Sequence, residues 1–202
     1  MPQIAKVPLT IVQGASADFV FRWATGRKIY ADISAVPDLA PLTVTAVAHG
    51  IVADAWPVFL SDMVGLEEIN SDCDFQRAVI VDVDTLRIDA VNAKEFGPYV
   101  SGGTVTYFDP TDLTGYTARM QIRPNQPSET VLEDLTTADI RLPLTGIVIS
   151  QPDKRIDVLL DSLVTGAYTW LSGVYQLDMI APTGEVYTIA GGSVKVIQEV
   201  TR

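Results

Sequence analysis

The sequence predicts an all-β protein: an immunoglobulin-like β-sandwich domain with a small β-barrel-like module inserted in it. Three observations carry that expectation. Apolar and polar residues alternate with a period of two along much of the chain, whereas a helical period is scarce. Turn chemistry punctuates the alternating runs at short intervals, the rhythm of sandwiches and barrels built from short strands. Two proline-bearing stretches, residues 35–41 and 109–112, bracket a middle portion with a strand–turn–strand rhythm of its own.

The elements follow in chain order. In Ala17–Trp23, the side chains of Ala17, Phe19, Phe21 and Trp23 share one face, opposite Asp18, Val20 and Arg22. That is the pattern of a strand with one face on a core and the other in water. Leu42–Ala48, Ala78–Val81, Thr85–Val91 and Gly103–Phe108 are candidate strands of the middle. In Tyr116–Arg123 the apolar set is Tyr116, Ala118, Met120 and Ile122, alternating with Thr117, Arg119, Gln121 and Arg123. Further strands are expected at Gly146–Ser150, Arg155–Leu160, Val174–Ile180, Glu185–Ile189 and Ser193–Val200. His49-Gly50, Ser101-Gly102-Gly103, Pro152-Asp153, Pro182-Thr183-Gly184 and Gly191-Gly192 read as turns between them. Asp161–Thr165, followed by Gly166, reads as one helical turn closed by a glycine cap.

The strands before Ala35 are too few to fold alone, because isolated hairpins are marginal. They need the strands after Asp112, so the expected division is a host sandwich of residues 1–36 plus 109–202 and an inserted module of residues 37–108. Both ends of such an insert should emerge close together.

Composition narrows the function. With 202 residues, 48% hydrophobic and 19% charged, the chain can bury a substantial core. Fourteen Lys and Arg against 25 Asp and Glu give a net charge of −11, which argues against a partner bound through phosphate neutralisation, nucleic acid above all. No run reaches the length of a membrane helix, and Met1–Gly14 lacks the pattern of a secretion signal. The expectation is a protein that folds in the cytosol of the cell making it, with no membrane partner. One cysteine, Cys73, allows neither an intramolecular disulfide nor a structural zinc cluster.

Val12-Gln13-Gly14-Ala15, the aromatic strand Phe19–Trp23, Asp112–Arg123, Thr145–Leu160, Val174–Gly184 and Ser193–Arg202 together resemble a family of small phage structural proteins related to the N-terminal domain of the phage baseplate upper protein. Its most specific run is Asp112-Leu113-Thr114-Gly115-Tyr116-Thr117-Ala118-Arg119-Met120-Gln121-Ile122-Arg123. Relatives have a short link where this chain carries its whole middle portion, and Val164–Gly173 is longer than the usual segment. Partner contacts made by those loops therefore do not carry over. The middle resembles a repeat of phage tail proteins, through Val44–Gly50, Gly65–Asn70, Val79–Asp89 and Tyr99–Val105. Such repeats are labelled by likeness to a small β-domain of ubiquitin-activating enzymes (the catalytic-cysteine half), a likeness of fold that carries no activity. The resemblance implies a non-enzymatic virion protein, assembled in the host cytoplasm and present in multiple copies. Its expected role is a tail, baseplate or neck adaptor that anchors fibres or neighbouring ring proteins. The alternatives are a capsid decoration or host-surface-contacting module and, last, a polysaccharide hydrolase.

His49, the single histidine, would need partners to act as base or metal ligand, and no Gly-x-Ser-x-Gly elbow accompanies it. A tight turn beside Gly50 accounts for it. Asp72 and Asp74 would raise the thiol pKa of Cys73, so it reads as an inert surface thiol. Asp82, Asp84 and Asp89 lack the calcium-loop framework, and a hairpin bend explains them. Glu67/Glu68 and the other acidic pairs lack the aromatic-lined cleft of a glycosidase around them. Gly102-Gly103 and Gly191-Gly192 precede strands, where no helix N-terminus could hold a phosphate. No catalytic residue, cofactor or metal is expected. Trp56 and Phe59, flanking Pro57-Val58, form either an exposed contact patch or internal packing of the module. With Glu67, Glu68 and Asn70 they are the expected partner-contact residues, being the least explained by strand packing.

Overall fold

The computed structural model describes residues 4–71, 74–141 and 144–199. The protein is all-β. It divides into two compact units, one made of Met1–Trp23 and Asp112–Arg202 and the other of Ala24–Thr111.

The first unit begins with β1 (Ala5–Lys6), β2 (Leu9–Val12) and β3 (Ala17–Phe21). The inserted unit supplies β4 (Ala24–Asp32), β5 (Ala35–Leu39), β6 (Leu42–Thr45), β7 (Trp56–Val64), β8 (Gln76–Ile80), β9 (Thr85–Ile88) and β10 (Ser101–Pro110). The chain then completes the first unit with β11 (Thr117–Arg123), β12 (Glu133–Thr136), β13 (Gly146–Ser150), β14 (Arg155–Leu160), β15 (Ser172–Ile180) and β16 (Val186–Ile197). A short helix, α1 (Ser162–Gly166), follows β14; Asp161 caps it by accepting from the Leu163 N–H, and its C-cap is Ala167, so no glycine cap closes it.

The first unit is a sandwich. Its larger sheet runs β1-β16-β15-β11-β12, with β2 also paired to β16, and its smaller sheet runs β13-β14-β3. Alternation works as the sequence predicted: Ala118, Met120 and Ile122 of β11 point inward and share one core with Phe21, Ile147, Ile156 and Val158 of the smaller sheet. The expected turn at Gly191-Gly192 is instead the middle of β16. A Cβ on Gly192 would lie 2.5 Å from the Val7 carbonyl oxygen, so these glycines admit the N-terminal chain against the sheet.

The inserted unit is one rolled sheet of seven strands, β4-β10-β7-β8-β9-β6-β5. Its edges, β4 and β5, are successive in the chain and separated by Ile33 and Ser34 alone, so the sheet must curl until its edges meet. Backbone bonds pin this seam: the Ile33 N–H donates to Gly103 O and the Ser34 N–H to Thr45 O, each at 2.8 Å. Leu42, Val44, Trp56, Val58, Leu60, Leu86 and Val105 fill the interior. The first and last strands pair antiparallel, with Ala24 opposite Pro110, so the chain enters and leaves this unit at one place.

Two expectations need correction. The insertion starts at Ala24 rather than at residue 37, because β4 and β5 belong to the rolled sheet. The proline-bearing stretch 35–41 is not a connector; it contains β5, an edge strand paired to β6 alone, where Pro37 removes no needed donor.

Candidate functional site

A concave surface lies on the open face of the larger sandwich sheet. Alternation places Arg119, Gln121 and Arg123 of β11 on this face, beside Val174, Gln176 and Asp178 of β15. Thr188, Gly191 and Ser193 of β16 continue it, and Lys6 of β1 closes it. The groove encloses about 1070 Å³. Register aligns its floor: Gln121 stands opposite Gln176, Gln176 opposite Gly191, and Gly191 opposite Lys6. Gly191 thus leaves a gap in a row of side chains that crosses four strands.

A fixed polar network forms one flank. Asp178 is largely buried, and its Oδ2 accepts from Nε and Nη2 of Arg119, both at 3.2 Å. Its Oδ1 accepts from Gln176 Nε2 at 2.8 Å and from the Thr188 hydroxyl at 2.7 Å. An irregularity in the β15–β16 register between Leu177 and Asp178 sets Thr188 opposite Asp178. On the other flank, Arg123 donates to Gln121 Oε1 at 2.8 Å and to Ser128 O at 2.9 Å. Beneath, the Tyr175 hydroxyl donates to Val7 O at 2.8 Å, and burial pushes this phenol up to about 12. Both oxygens of Asp178 and Oε1 of Gln121 are thus engaged within the network. Such a surface can orient and hold an acceptor-rich ligand. A second hollow, of about 450 Å³, is lined by Glu133, Tyr168 and Trp170. Its carboxylate is already held, accepting from Arg141 and, at 3.0 Å, from the Tyr168 hydroxyl.

The expected contact residues lie elsewhere, in the inserted unit. Trp56 is 1% exposed and belongs to that unit's core, with its indole N–H donating to Phe108 O at 2.9 Å. It is therefore not a surface contact residue: β7 alternation turns Trp56, Val58 and Leu60 inward. Phe59 sits half-buried on the outer face, edge-on to Phe108 with ring centroids 6.4 Å apart. Glu67 and Glu68 are exposed, but each carboxylate serves a turn, accepting from the N–H of Gly65 at 2.7 Å and of Gly97 at 3.2 Å. The Gly65 N–H, together with the backbone N–H of Glu67 itself, holds the Glu67 carboxyl below its ordinary range. Asn70 clamps Met63, accepting from its N–H at 3.0 Å and donating to its carbonyl at 2.9 Å.

The other residues singled out have structural partners. His49 is buried; its Nδ1 accepts from the Ile51 N–H, which leaves the proton on Nε2 to donate to Asp82 O at 2.9 Å. Asp84 accepts from the Ala48 N–H at 2.7 Å, and Asp89 pairs with Arg87. Cys73 and Asp72 lie outside the described residues. Among the described residues, no group of three or more His, Cys, Asp or Glu is placed to hold a metal ion. Sequence reasoning missed the groove although it had assigned Arg119, Gln121 and Arg123 to a polar face. The missing knowledge was which strands flank β11, since Lys6, Asp178 and Thr188 are remote from it in sequence. Neither the profiles of known protein families nor the curated proteins include one that matches this chain.

Proposed function

We propose that the protein is a bacteriophage structural protein that acts by binding alone, as an adaptor in the tail, baseplate or neck that anchors fibres or neighbouring ring proteins. The observation that carries this reading is the division of polar chemistry. Buried polar side chains such as His49, Glu133 and Asp178 are engaged in hydrogen bonds with backbone or neighbouring groups, while an ordered polar groove stays open on a sheet face. Groups held in this way order the surface around them. The two family resemblances also part where the chain does. The baseplate-type segments fall within Met1–Trp23 and Asp112–Arg202, and the tail-repeat segments within Ala24–Thr111.

Mass spectrometry and cryo-electron microscopy of the intact particle test the reading. Copies arranged in rings at the neck, tail or baseplate are the expected result, and absence of the chain from purified particles would refute it. Four exposed valines, Val47, Val52, Val81 and Val83, favour a second reading in which the inserted unit contacts capsid or host surface. Density spread over the head lattice would select that reading instead.

A further inference from the structure

We infer that the groove on the sandwich sheet receives an extended acidic segment of a neighbouring protein. The inference rests on the binding-only reading above and adds the chemistry of the partner. The protein carries a net charge of −11, yet this groove is lined by Lys6, Arg119 and Arg123 against a single carboxylate, Asp178. That carboxylate is matched by Arg119. Among the described residues no carboxylate pairs with Lys6 or Arg123, so the groove is a cationic island on an acidic molecule.

Hydrogen-bond accounting points the same way. Both oxygens of Asp178 and the side-chain oxygen of Gln121 accept from neighbours within the groove. No described bond uses Nη1 of Arg119, Nε of Arg123 or the amide nitrogen of Gln121, and these donors remain for a ligand. The formal charges of Lys6, Arg119 and Arg123 outnumber that of Asp178, and charged donors of this kind favour a carboxylate-bearing partner.

The layout sets the partner's shape. Lys6 on β1 and the arginines on β11 lie three strand spacings apart, about 14 Å. Arg119 and Arg123 are separated by a similar length, four residues along a strand, about 13 Å. A single compact anion reaches one corner of this triangle. An extended peptide of about four residues spans it, and alternation presents every second side chain to the sheet. Gly191 leaves room for one such side chain between Lys6 and Gln176. Nucleic acids and glycans fit less well, because stacking platforms are missing: the aromatic residue of the lining, Tyr175, is buried under the floor.

The test uses the full-length protein and a short fluorescein-labelled peptide of alternating glutamate and threonine, followed by fluorescence anisotropy. Its lysine–threonine counterpart and a labelled heparin oligosaccharide serve as comparison probes. The acidic peptide is expected to bind, to weaken as ionic strength rises, and to lose about tenfold or more in affinity in the K6E/R123E variant. The R87E variant, which reverses a charge in the inserted unit, should bind as the parent does. If K6E/R123E proves poorly folded by circular dichroism, K6Q/R123Q replaces it with the same expected direction. Absence of peptide binding, binding insensitive to these substitutions, or preference for heparin would overturn the inference. None of those results bears on whether the chain is present in the particle, so the adaptor reading stands or falls separately.

Discussion

The sandwich and the inserted unit are made from the same strand grammar but solve opposite problems. The sandwich packs two sheets face to face, and its larger sheet keeps an outer face whose side chains are ordered by one another: Arg119, Asp178, Gln176 and Thr188 form a single network. The inserted unit rolls one sheet on itself, and several of its polar side chains hold backbone groups at loops: Asn70 on Met63, Asp84 on Ala48 and His49 on Ile51. An open sheet face can hold a prearranged polar surface outside the core. The difference teaches where recognition can reside: on the sheet face of the sandwich and on the loops of the inserted unit.

The contrast can be broken by substitution. The largest effect is expected from Trp56→Ala, which empties a fully buried site and strands the Phe108 carbonyl. It should cost about 3–5 kcal/mol in denaturant unfolding, while Met120→Ala in the sandwich core should cost about 2–5 kcal/mol. A loss below about 1 kcal/mol for Trp56→Ala would mean that the indole is a surface group after all. Next comes Glu133→Ala, which leaves Arg141 and the buried Tyr168 hydroxyl without their shared acceptor; about 2–3 kcal/mol is expected, with Glu133→Gln losing less. Equal losses for Gln and Ala would show that the charge, and not the hydrogen bond to Tyr168, matters there. Asn70→Ala removes both bonds to Met63 and should cost about 1–3 kcal/mol without altering anisotropy binding by the groove. A binding defect with unchanged stability would instead return Asn70 to the list of contact residues.

A pH dependence sharpens the sandwich side of the comparison. Burial raises the Tyr175 phenol from 10.0 to about 12, so its contribution is intact below pH 10, where the phenol is protonated in folded and unfolded chains alike. Between pH 10 and about 12 the unfolded chain ionises first, and stability should fall. Tyr175→Phe should flatten that part of the alkaline stability curve, and an unaltered slope would contradict the assigned burial.

Much of this architecture was legible in the residues. The alternation in Ala17–Phe21 and Thr117–Arg123 identified both strands and the side that faces the core, because a half-buried strand imposes a period of two. The edge strands were not legible. β4 reads Ala-Thr-Gly-Arg-Lys-Ile-Tyr-Ala-Asp, with little apolar alternation, and β5 carries Pro37; strands that pair on one side alone tolerate both. β7 escaped notice because its alternation of Trp56, Val58 and Leu60 is broken at Asp62, whose φ of 60° lets Met63 turn inward. Glycine pairs misled for a physical reason as well: Gly102-Gly103 and Gly191-Gly192 lie inside long strands where neighbouring chain crowds the Cβ position. The groove was half legible, since β11 announced its polar face but long-range pairing alone brings Lys6 and Asp178 to it.

The pairing of Ala24 with Pro110 has a consequence for how such a chain can be assembled over evolutionary time. Paired residues of an antiparallel ladder lie about 5 Å apart, the span of a tight turn. To the surrounding sandwich, the whole excursion from Ala24 to Thr111 imposes the closure entropy of a short loop and not that of a long one. A cassette of this kind can be gained, lost or exchanged between hosts while the strands on either side keep their register, leaving its sequence free to diversify independently of the domain that carries it.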